Sequence, residues 1–227
     1  MDNMSVIIKK QLKDTLKNKT VLIQFVMFPA MTLIMENAIR LENMPDHFFT
    51  KLFSVMYIGM APLTSAAAII SEEKEKNTLR VLMMANVKPW EYLAGVSVYV
   101  WSLCMIGALV MSYGLPASDI PFYLMIMGLG FLISILIGSC VGIFARNQMV
   151  STSLVMPVMM ILSFAPMLAM FNDKIEKVAR LFFTQQIRVI FDTMSFGDVG
   201  KTGIAIIAVN ACAALGLFCI SFRKNSL

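Results

Sequence analysis

The charged positions of this chain are gathered into short segments, and six long stretches without a charged residue run between them. Those stretches contain 16, 19, 27, 26, 26 and 21 residues, and an α-helix needs roughly 20 apolar residues to cross a bilayer. They are Thr20–Met35, Leu52–Ile70, Tyr92–Ser118, Ile120–Ala145, Asn147–Asn172 and Thr202–Phe222. The pattern predicts an all-α membrane protein with one transmembrane domain over residues 1–227. The predicted spans are residues 20–39, 51–70, 90–115, 120–145, 148–171 and 202–222.

Residues 1–19 carry a different helical pattern, in which apolar residues recur every four positions and lysines gather on the opposite side. The apolar positions are Met4, Ile8, Leu12 and Leu16, and the lysines are Lys10, Lys13 and Lys17. A helix with this segregation lies flat at a membrane surface. We therefore expect an interfacial amphipathic helix before the first span. The alternative is a solvated charged segment that leads into that span.

Residues 71–89, between the second and third predicted spans, begin with the densest run of charges in the chain. Three acids stand where the N-terminal end of a helix dipole favours them, and an apolar ridge follows that a groove on another protein could accept. The acids are Glu72, Glu73 and Glu75, and the ridge consists of Leu79, Leu82 and Met83. We interpret the segment as a docking element. The alternative is a surface helix that binds no partner.

Two further patterns concern packing. Ser134, Gly138 and Gly142 follow one another at four-residue spacing in the fourth span, and small residues at that spacing allow two membrane helices to approach closely. Between the fifth and sixth spans, residues 172–201 place apolar side chains at the i, i+3, i+4, i+7 positions typical of a helix. These are Ile175, Val178, Ala179 and Phe182. We expect one or two short helices there, resting in the outer leaflet.

Composition and charge agree with this layout. Hydrophobic residues make up 58% of the chain and charged residues 15%, whereas soluble domains contain about 25% charged residues. A soluble enzyme and a disordered chain are thereby excluded. Of the 19 basic residues, 12 fall on the side of the predicted bundle that holds both termini. Basic residues favour the cytoplasmic side, so both termini are expected there, and the positive charge gives no reason to expect nucleic acid as a partner.

The chain lacks the residues that transport by ion coupling or ATP hydrolysis would use. The interiors of the long spans contain no Asp, Glu, Lys, Arg or His, whereas coupled transporters generally place such groups inside the membrane. Gly200-Lys201-Thr202 matches the end of a phosphate-binding loop, but Ser195 stands where that motif needs its first glycine. His47 is the sole histidine. We expect no catalytic, cofactor-binding or metal-binding residues in this chain.

Residues 71–95, SEEKEKNTLRVLMMANVKPWEYLAG, resemble the cytoplasmic signature of type-two ATP-binding-cassette (ABC) export permeases. The matching positions are Thr78, Leu79, Leu82, Pro89, Trp90, Tyr92, Leu93 and Gly95. The departures are Asn77 in place of the usual glycine, Arg80 in place of glutamate and Val96 in place of a frequent lysine. The order of surface helix, six spans and outer helices is also similar to that family along nearly the whole chain.

The resemblance implies a multi-pass protein of the plasma membrane, expected to be bacterial, in which two permease chains enclose a pathway. Two separate ATPase subunits would dock below and would bind the ATP and Mg²⁺, so this chain would have no cofactor of its own. The segment 71–89 would then be a coupling segment that carries nucleotide-driven closure to the spans. Its implied docking residues are Glu72, Glu73, Glu75, Asn77, Thr78, Leu79, Arg80, Leu82 and Met83.

The cargo is less well defined by the sequence. The uncharged spans favour hydrophobic or amphipathic molecules, such as drugs or antimicrobial-type peptides, as exported cargo. Two alternatives remain: an ion-coupled secondary transporter or channel, which would move solute without a companion ATPase, and a membrane assembly subunit that transports nothing.

Overall fold

The fold of the chain is given by a computed structural model, which describes residues 3–17, 19–39, 45–84, 87–195 and 200–224. These residues form α-helices joined by short turns, with a single 3₁₀ turn at Ser112–Gly114. The helices are α1 Asn3–Lys17, α2 Lys19–Ala38, α3 Phe48–Glu75, α4 Thr78–Met84, α5 Pro89–Met111, α6 Ile120–Phe144, α7 Gln148–Leu168, α8 Asp173–Ala179, α9 Phe183–Thr193 and α10 Gly200–Lys224. The all-α prediction is confirmed for the described residues.

Five of these helices, α3, α5, α6, α7 and α10, are long and apolar enough to cross a membrane. They correspond to the predicted second to sixth spans. The predicted first span corresponds to α2, which contributes a shorter apolar helix over Leu22–Ala38 and contains Pro29. The count of six spans therefore stays a prediction, while five candidate spans are present in the described part of the chain.

Helix α3 is the central element of the bundle. It contains 28 residues, a length of about 42 Å at 1.5 Å per residue, and it packs against α2, α5, α6, α7 and α9. Tyr57, Ile58, Leu63 and Ile70 on this helix are completely buried. The predicted span ended at residue 70, but the helix continues to Glu75. The charged run that the sequence placed in a loop is therefore largely the last turn of α3.

The small residues of α6 pack against α3. Ser134 Oγ donates a hydrogen bond to the carbonyl oxygen of Ile58 at 2.7 Å. A Cβ atom at Gly138 would lie within 3 Å of the Leu63 backbone, and one at Gly142 would lie 2.9 Å from the Ile70 side chain. The sequence predicted a close approach without naming the partner helix, and the structure identifies that partner as α3.

Of the two short helices before α10, one differs from the prediction. Helix α9 does not rest on the surface: Phe183, Ile187, Ile190 and Phe191 are buried, and the helix packs against α3, α6, α7 and α10. Helix α8 is more exposed, and its Val178 is 59% exposed. The periodicity identified helical structure correctly, but it could not distinguish contact with lipid from contact with the bundle.

The bundle has two ends that the following sections refer to by name. The α4 end is the one where α3 and α6 finish, α7 begins and α4 lies. The α9 end is the opposite one, where α3 and α6 begin, α7 finishes and α9 lies. Helix α1 belongs to the α4 end, because Lys10 forms an ion pair with Glu73 in the last turns of α3.

Candidate functional site: the α4 end of the bundle

The residues that the sequence assigned to docking meet at the α4 end, but they do so in two different ways. Glu73 is 6% exposed and faces inward. Its Oε1 accepts a hydrogen bond from Lys10 Nζ at 2.6 Å and another from Gln11 Nε2. A buried carboxylate needs such partners to offset the loss of its hydration. Glu73 therefore attaches α1 to α3, and it is not presented to a partner protein in this conformation.

The two residues after Glu73 hold the turn between α6 and α7. Lys74 Nζ donates hydrogen bonds to the carbonyl oxygens of Ile143 and Ala145, the second at 2.8 Å. Glu75 Oε2 accepts a hydrogen bond from the backbone N–H of Gln148 at 2.8 Å. A cation at the carbonyl end of a helix and an anion at its N–H end both interact favourably with the helix dipole. The end of α3 is thereby attached to both neighbours of this turn.

This geometry corrects the role that the sequence gave to the acids. Glu72, Glu73 and Glu75 lie in the last turns of α3, so they do not occupy the first turn of α4. The helix N-terminus that benefits from an acid is that of α7, through Glu75. Glu72 instead forms an ion pair with Lys76 four residues later, and its carboxylate raises the pKa of Lys76.

Asn77 forms the turn that joins α3 to α4. Its φ angle is 55°, in the left-handed region where glycine has no steric penalty and where asparagine is the most tolerated alternative. The hydroxyl of Thr78 donates a hydrogen bond to the carbonyl oxygen of Glu73 at 3.2 Å and closes the turn. Asparagine suits this turn because it tolerates the left-handed conformation that Asn77 adopts here.

The apolar ridge predicted on α4 faces the bundle. Leu79 is 5% exposed, and Leu82 and Met83 are partly buried against the same core. These side chains fix α4 to the bundle and leave little apolar surface on that face for another protein. The sequence pattern found the apolar face of the helix correctly, but an amphipathic face has the same periodicity whether it meets its own chain or a partner.

The surface of α4 that is available to a partner was missed by the sequence reasoning, except at Asn77 and Arg80. Asn77 and Arg80 are exposed, Val81 is 56% exposed and Met84 is 73% exposed. These four residues follow the i, i+3, i+4, i+7 spacing and share one side of the helix. We call them the α4 outer face. Val81 and Met84 are the signal that could have revealed it, because they are apolar residues on the side opposite the predicted ridge.

Helix α1 extends the α4 end. Its buried positions are Ile7 and Gln11, and Ile7 contacts α5 at Gly95, where a Cβ atom would lie 3.0 Å from the isoleucine side chain. Ile8 is partly buried, whereas Leu12 and Lys13 are exposed. The predicted face at Ile8 and Leu12 is thus only partly covered by protein. The predicted side chains at Leu16 and Lys17 lie outside the described part of the structure.

Two cavities lie between α3 and α7. The cavity nearer the α4 end has a volume of about 460 Å³. Its polar wall consists of Gln24, Thr64, Gln148, Ser151 and Thr152. The cavity nearer the α9 end has a volume of about 230 Å³. Between the two cavities α3 and α7 are in direct contact, because a Cβ atom at Gly59 would lie within 3 Å of Ser163.

The fold and this site together define a class: a helical bundle with several membrane spans and a short helix, α4, attached to one end of its central span. Residues 2–223 match the family described as ABC-2 family transporter protein. The match covers nearly the whole chain, so the chain belongs to the ABC-2 transporter family. This is a family of non-catalytic membrane subunits, and the resemblance found in residues 71–95 is confirmed. No match to the chain was found among curated proteins.

Proposed function

We propose that this chain is the transmembrane subunit of an ABC exporter of hydrophobic or amphipathic cargo, and that two such chains, or this chain and a homologue, enclose the pathway. A separate ATPase subunit binds ATP and Mg²⁺ and docks at the α4 end, which faces the cytoplasm. The observation that carries this proposal is the α4 outer face, an exposed strip with two apolar side chains on a short helix that is anchored to the central span.

The attachments of α4 support a mechanical role. Leu79 anchors α4 in the core, and the Asn77 turn connects it directly to α3. Glu73 links α3 to α1, while Lys74 and Glu75 link it to α6 and α7. A displacement of α4 by a partner would therefore be passed to four neighbouring helices. A partner that contacts α4 differently before and after ATP hydrolysis would shift the bundle between conformations.

The docking surface in this proposal differs from the set predicted from the sequence. It consists of the α4 outer face together with the exposed Glu75 and Lys76 at the end of α3. Arg80, Val81 and Met84 combine one charge with two apolar side chains. The opposite face of α4 holds the helix against the bundle and does not contact the partner. That face consists of Leu79, Leu82 and Met83.

The cavities between α3 and α7 support the choice of cargo. The wall of the cavity nearer the α4 end provides hydroxyl and amide groups without a charge, and its other side includes Val155, Met156 and Met159. Such a mixture can form hydrogen bonds with a polar part of a ligand and van der Waals contacts with an apolar part. It is better suited to an amphipathic molecule than to an ion.

Acidic substitutions on the α4 outer face test the docking proposal. The chain would be co-expressed with an ABC ATPase encoded in the adjacent reading frame and purified through a tag on the ATPase. Arg80→Glu and Met84→Glu are expected to reduce co-purification at least tenfold, because each places a carboxylate on the contact surface. The matched control is Lys177→Glu, a reversal of the same sign at an exposed position of α8 at the α9 end. Equal recovery of Arg80→Glu, Met84→Glu and Lys177→Glu would contradict the proposal.

Reconstitution separates the exporter from its main alternative. Vesicles that contain the chain and the ATPase are expected to accumulate an amphipathic dye only when ATP is supplied on the ATPase side. Vesicles with the chain alone should not move the dye in response to a proton or sodium gradient. Uphill transport by the chain alone would show that it is a secondary transporter.

A further inference from the structure

The cavity near the α9 end combines positive charge with an apolar lining. Its charged groups come from Lys51 at the start of α3 and from Arg188 and Asp192 on α9. Two cations against one carboxylate leave the cavity with one positive charge. Its apolar lining includes Phe48, Leu52, Val55, Met56, Met167 and Met170.

The positive charge in this cavity is only partly neutralised by the protein. Arg188 has a side chain that is 15% exposed, and its Nη1 lies 3.7 Å from Asp192 Oδ2, longer than a hydrogen bond. The buried Nε of Arg188 has no hydrogen-bond partner among the described residues. Lys51 Nζ contacts the carbonyl oxygen of Asp192 at 3.3 Å, not its carboxylate. A guanidinium in such a position favours an additional anion.

The carboxylate of Glu36 on α2 does not supply that anion. Glu36 accepts hydrogen bonds from the backbone N–H and the hydroxyl of Thr50, and His47 Nδ1 lies 3.8 Å from its other oxygen. Glu36 is therefore engaged beside the cavity, and it does not line it. The charge imbalance of Lys51 and Arg188 is left for a ligand to neutralise.

We propose that this cavity binds an amphiphile with one acyl or alkyl chain and a phosphate or carboxylate head group. The head group is held by Arg188 and Lys51, and the chain lies against Met56, Met167 and Met170. Flexible thioethers can pack against alkyl chains of different lengths, and the volume of about 230 Å³ accommodates the head group and the adjoining part of one chain, whose remainder would extend out of the cavity. The binding step needs no ATPase. The further statement that the exported cargo is an anionic amphiphile rests on the proposed function.

Binding to the purified chain tests this inference directly. The full-length chain in a neutral detergent would be titrated with lauroyl lysophosphatidic acid, lauroyl lysophosphatidylcholine and inorganic phosphate. The first is expected to bind at least tenfold more tightly than the second, because choline cancels the charge that Arg188 recognises. Inorganic phosphate should bind weakly because it has no apolar chain. Equal affinity for the two lipids would overturn the proposal, as would equal affinity for phosphate.

Variants locate the site. Arg188→Gln should weaken lysophosphatidic acid binding at least tenfold, and Met167→Trp should abolish it by filling the apolar part while leaving both cations in place. The matched control is Arg180→Gln, which removes an exposed arginine at the same end that pairs with Glu176 outside the cavity. The melting temperature of each variant would verify that it is folded. Unchanged binding by folded Arg188→Gln or Met167→Trp would contradict the assignment.

An assay of ATP-dependent transport distinguishes a site for exported cargo from a site for membrane lipid. In vesicles with the ATPase, movement of labelled lysophosphatidic acid would identify the cavity as a cargo site, and binding without movement would identify it as a lipid site. Either result supports binding at this cavity, but binding without movement contradicts the narrowing of the exported cargo to anionic amphiphiles. Binding by a chain that never associates with an ATPase would contradict the exporter but leave this cavity assignment intact.

Discussion

Asn77 illustrates how one residue determines a connection between helices. The sequence identified it as a departure from the glycine of the family signature, and its φ of 55° explains why that departure is tolerated. The departure at Arg80 has no such explanation, because nothing in the structure accounts for arginine there. Glu73 shows the limit of sequence reasoning at this scale. Glu72, Glu73 and Glu75 are the same type of residue, but the structure places each in different surroundings.

The stability of the turn at Asn77 should depend on which backbone conformations the residue can adopt, and not on the polarity of its side chain. Asn77→Val is expected to lower the free energy of unfolding by about 1–2 kcal/mol, because a residue with a β-branched side chain is disfavoured at positive φ. Asn77→Gly should be as stable as the parent protein. The measurement is unfolding in mixed detergent micelles, and a valine variant as stable as the glycine variant would show that the turn does not require this conformation.

A second residue-scale prediction concerns the contact between α6 and α3. Gly138→Ala should destabilise the protein by about 1–3 kcal/mol, because the added methyl group meets the backbone of Leu63, which cannot move aside as a side chain could. The control is Gly216→Ala on α10, where nothing lies within 4 Å of the added Cβ. That variant should gain up to about 1 kcal/mol from better helix propensity. Equal melting temperatures for the two variants would contradict the close packing.

At the scale of elements, the end of α3 and the turn between α6 and α7 behave as one unit. The sequence predicted spans at 120–145 and 148–171 with a short connection between them, but it did not relate that connection to Lys74 and Glu75. Sixty-nine or more residues separate the partners along the chain, so no local pattern could have indicated the contact. Helix α9 is a similar case, because its apolar face meets α3 and not lipid.

The attachment of α3 to α6 should be measurable. Lys74→Met removes the charged donor to two carbonyl oxygens at the end of α6, and the expected loss is about 1–3 kcal/mol of unfolding free energy. Lys76→Met removes an exposed ion pair with Glu72, which contributes less than about 1 kcal/mol. Unfolding of both variants in the same micelles provides the comparison. The assignment of Lys74 would be wrong if its variant were no less stable than the Lys76 variant.

The whole molecule has a central helix, α3, surrounded by helices that are progressively less buried. In the most apolar 18-residue stretch of each helix, 11% of the residues are buried in α10 and 78% are buried in α3. Val209, Leu217 and Ile220 on α10 are more than half exposed. Both lipid and a second chain can cover such a surface. The sequence does not distinguish these roles, because all its long apolar stretches have similar composition.

Orientation is a prediction about the whole molecule. The distribution of basic residues predicts that the α4 end is cytoplasmic. Single cysteines at exposed loop positions of the two ends would test it, in a background where Cys212 and Cys219, which are exposed, are replaced by serine. Ser118→Cys at the α9 end should react with a membrane-impermeant maleimide in intact cells, and Arg146→Cys at the α4 end should react only after permeabilisation. The reverse labelling pattern would place the proposed docking surface on the wrong side.

The sequence by itself determined the helical class, the approximate limits of the apolar helices, the family and the segment after the second predicted span as the one of functional interest. These features are local, since they depend on hydrophobic periodicity, the lengths of uncharged stretches and a short motif. The tertiary structure alone decided that Glu73 and Leu79 face inward, that the α4 outer face is exposed, and that Lys51 and Arg188 share a cavity. Those facts depend on which helices pack together, and helix packing is set by contacts between residues far apart in the chain.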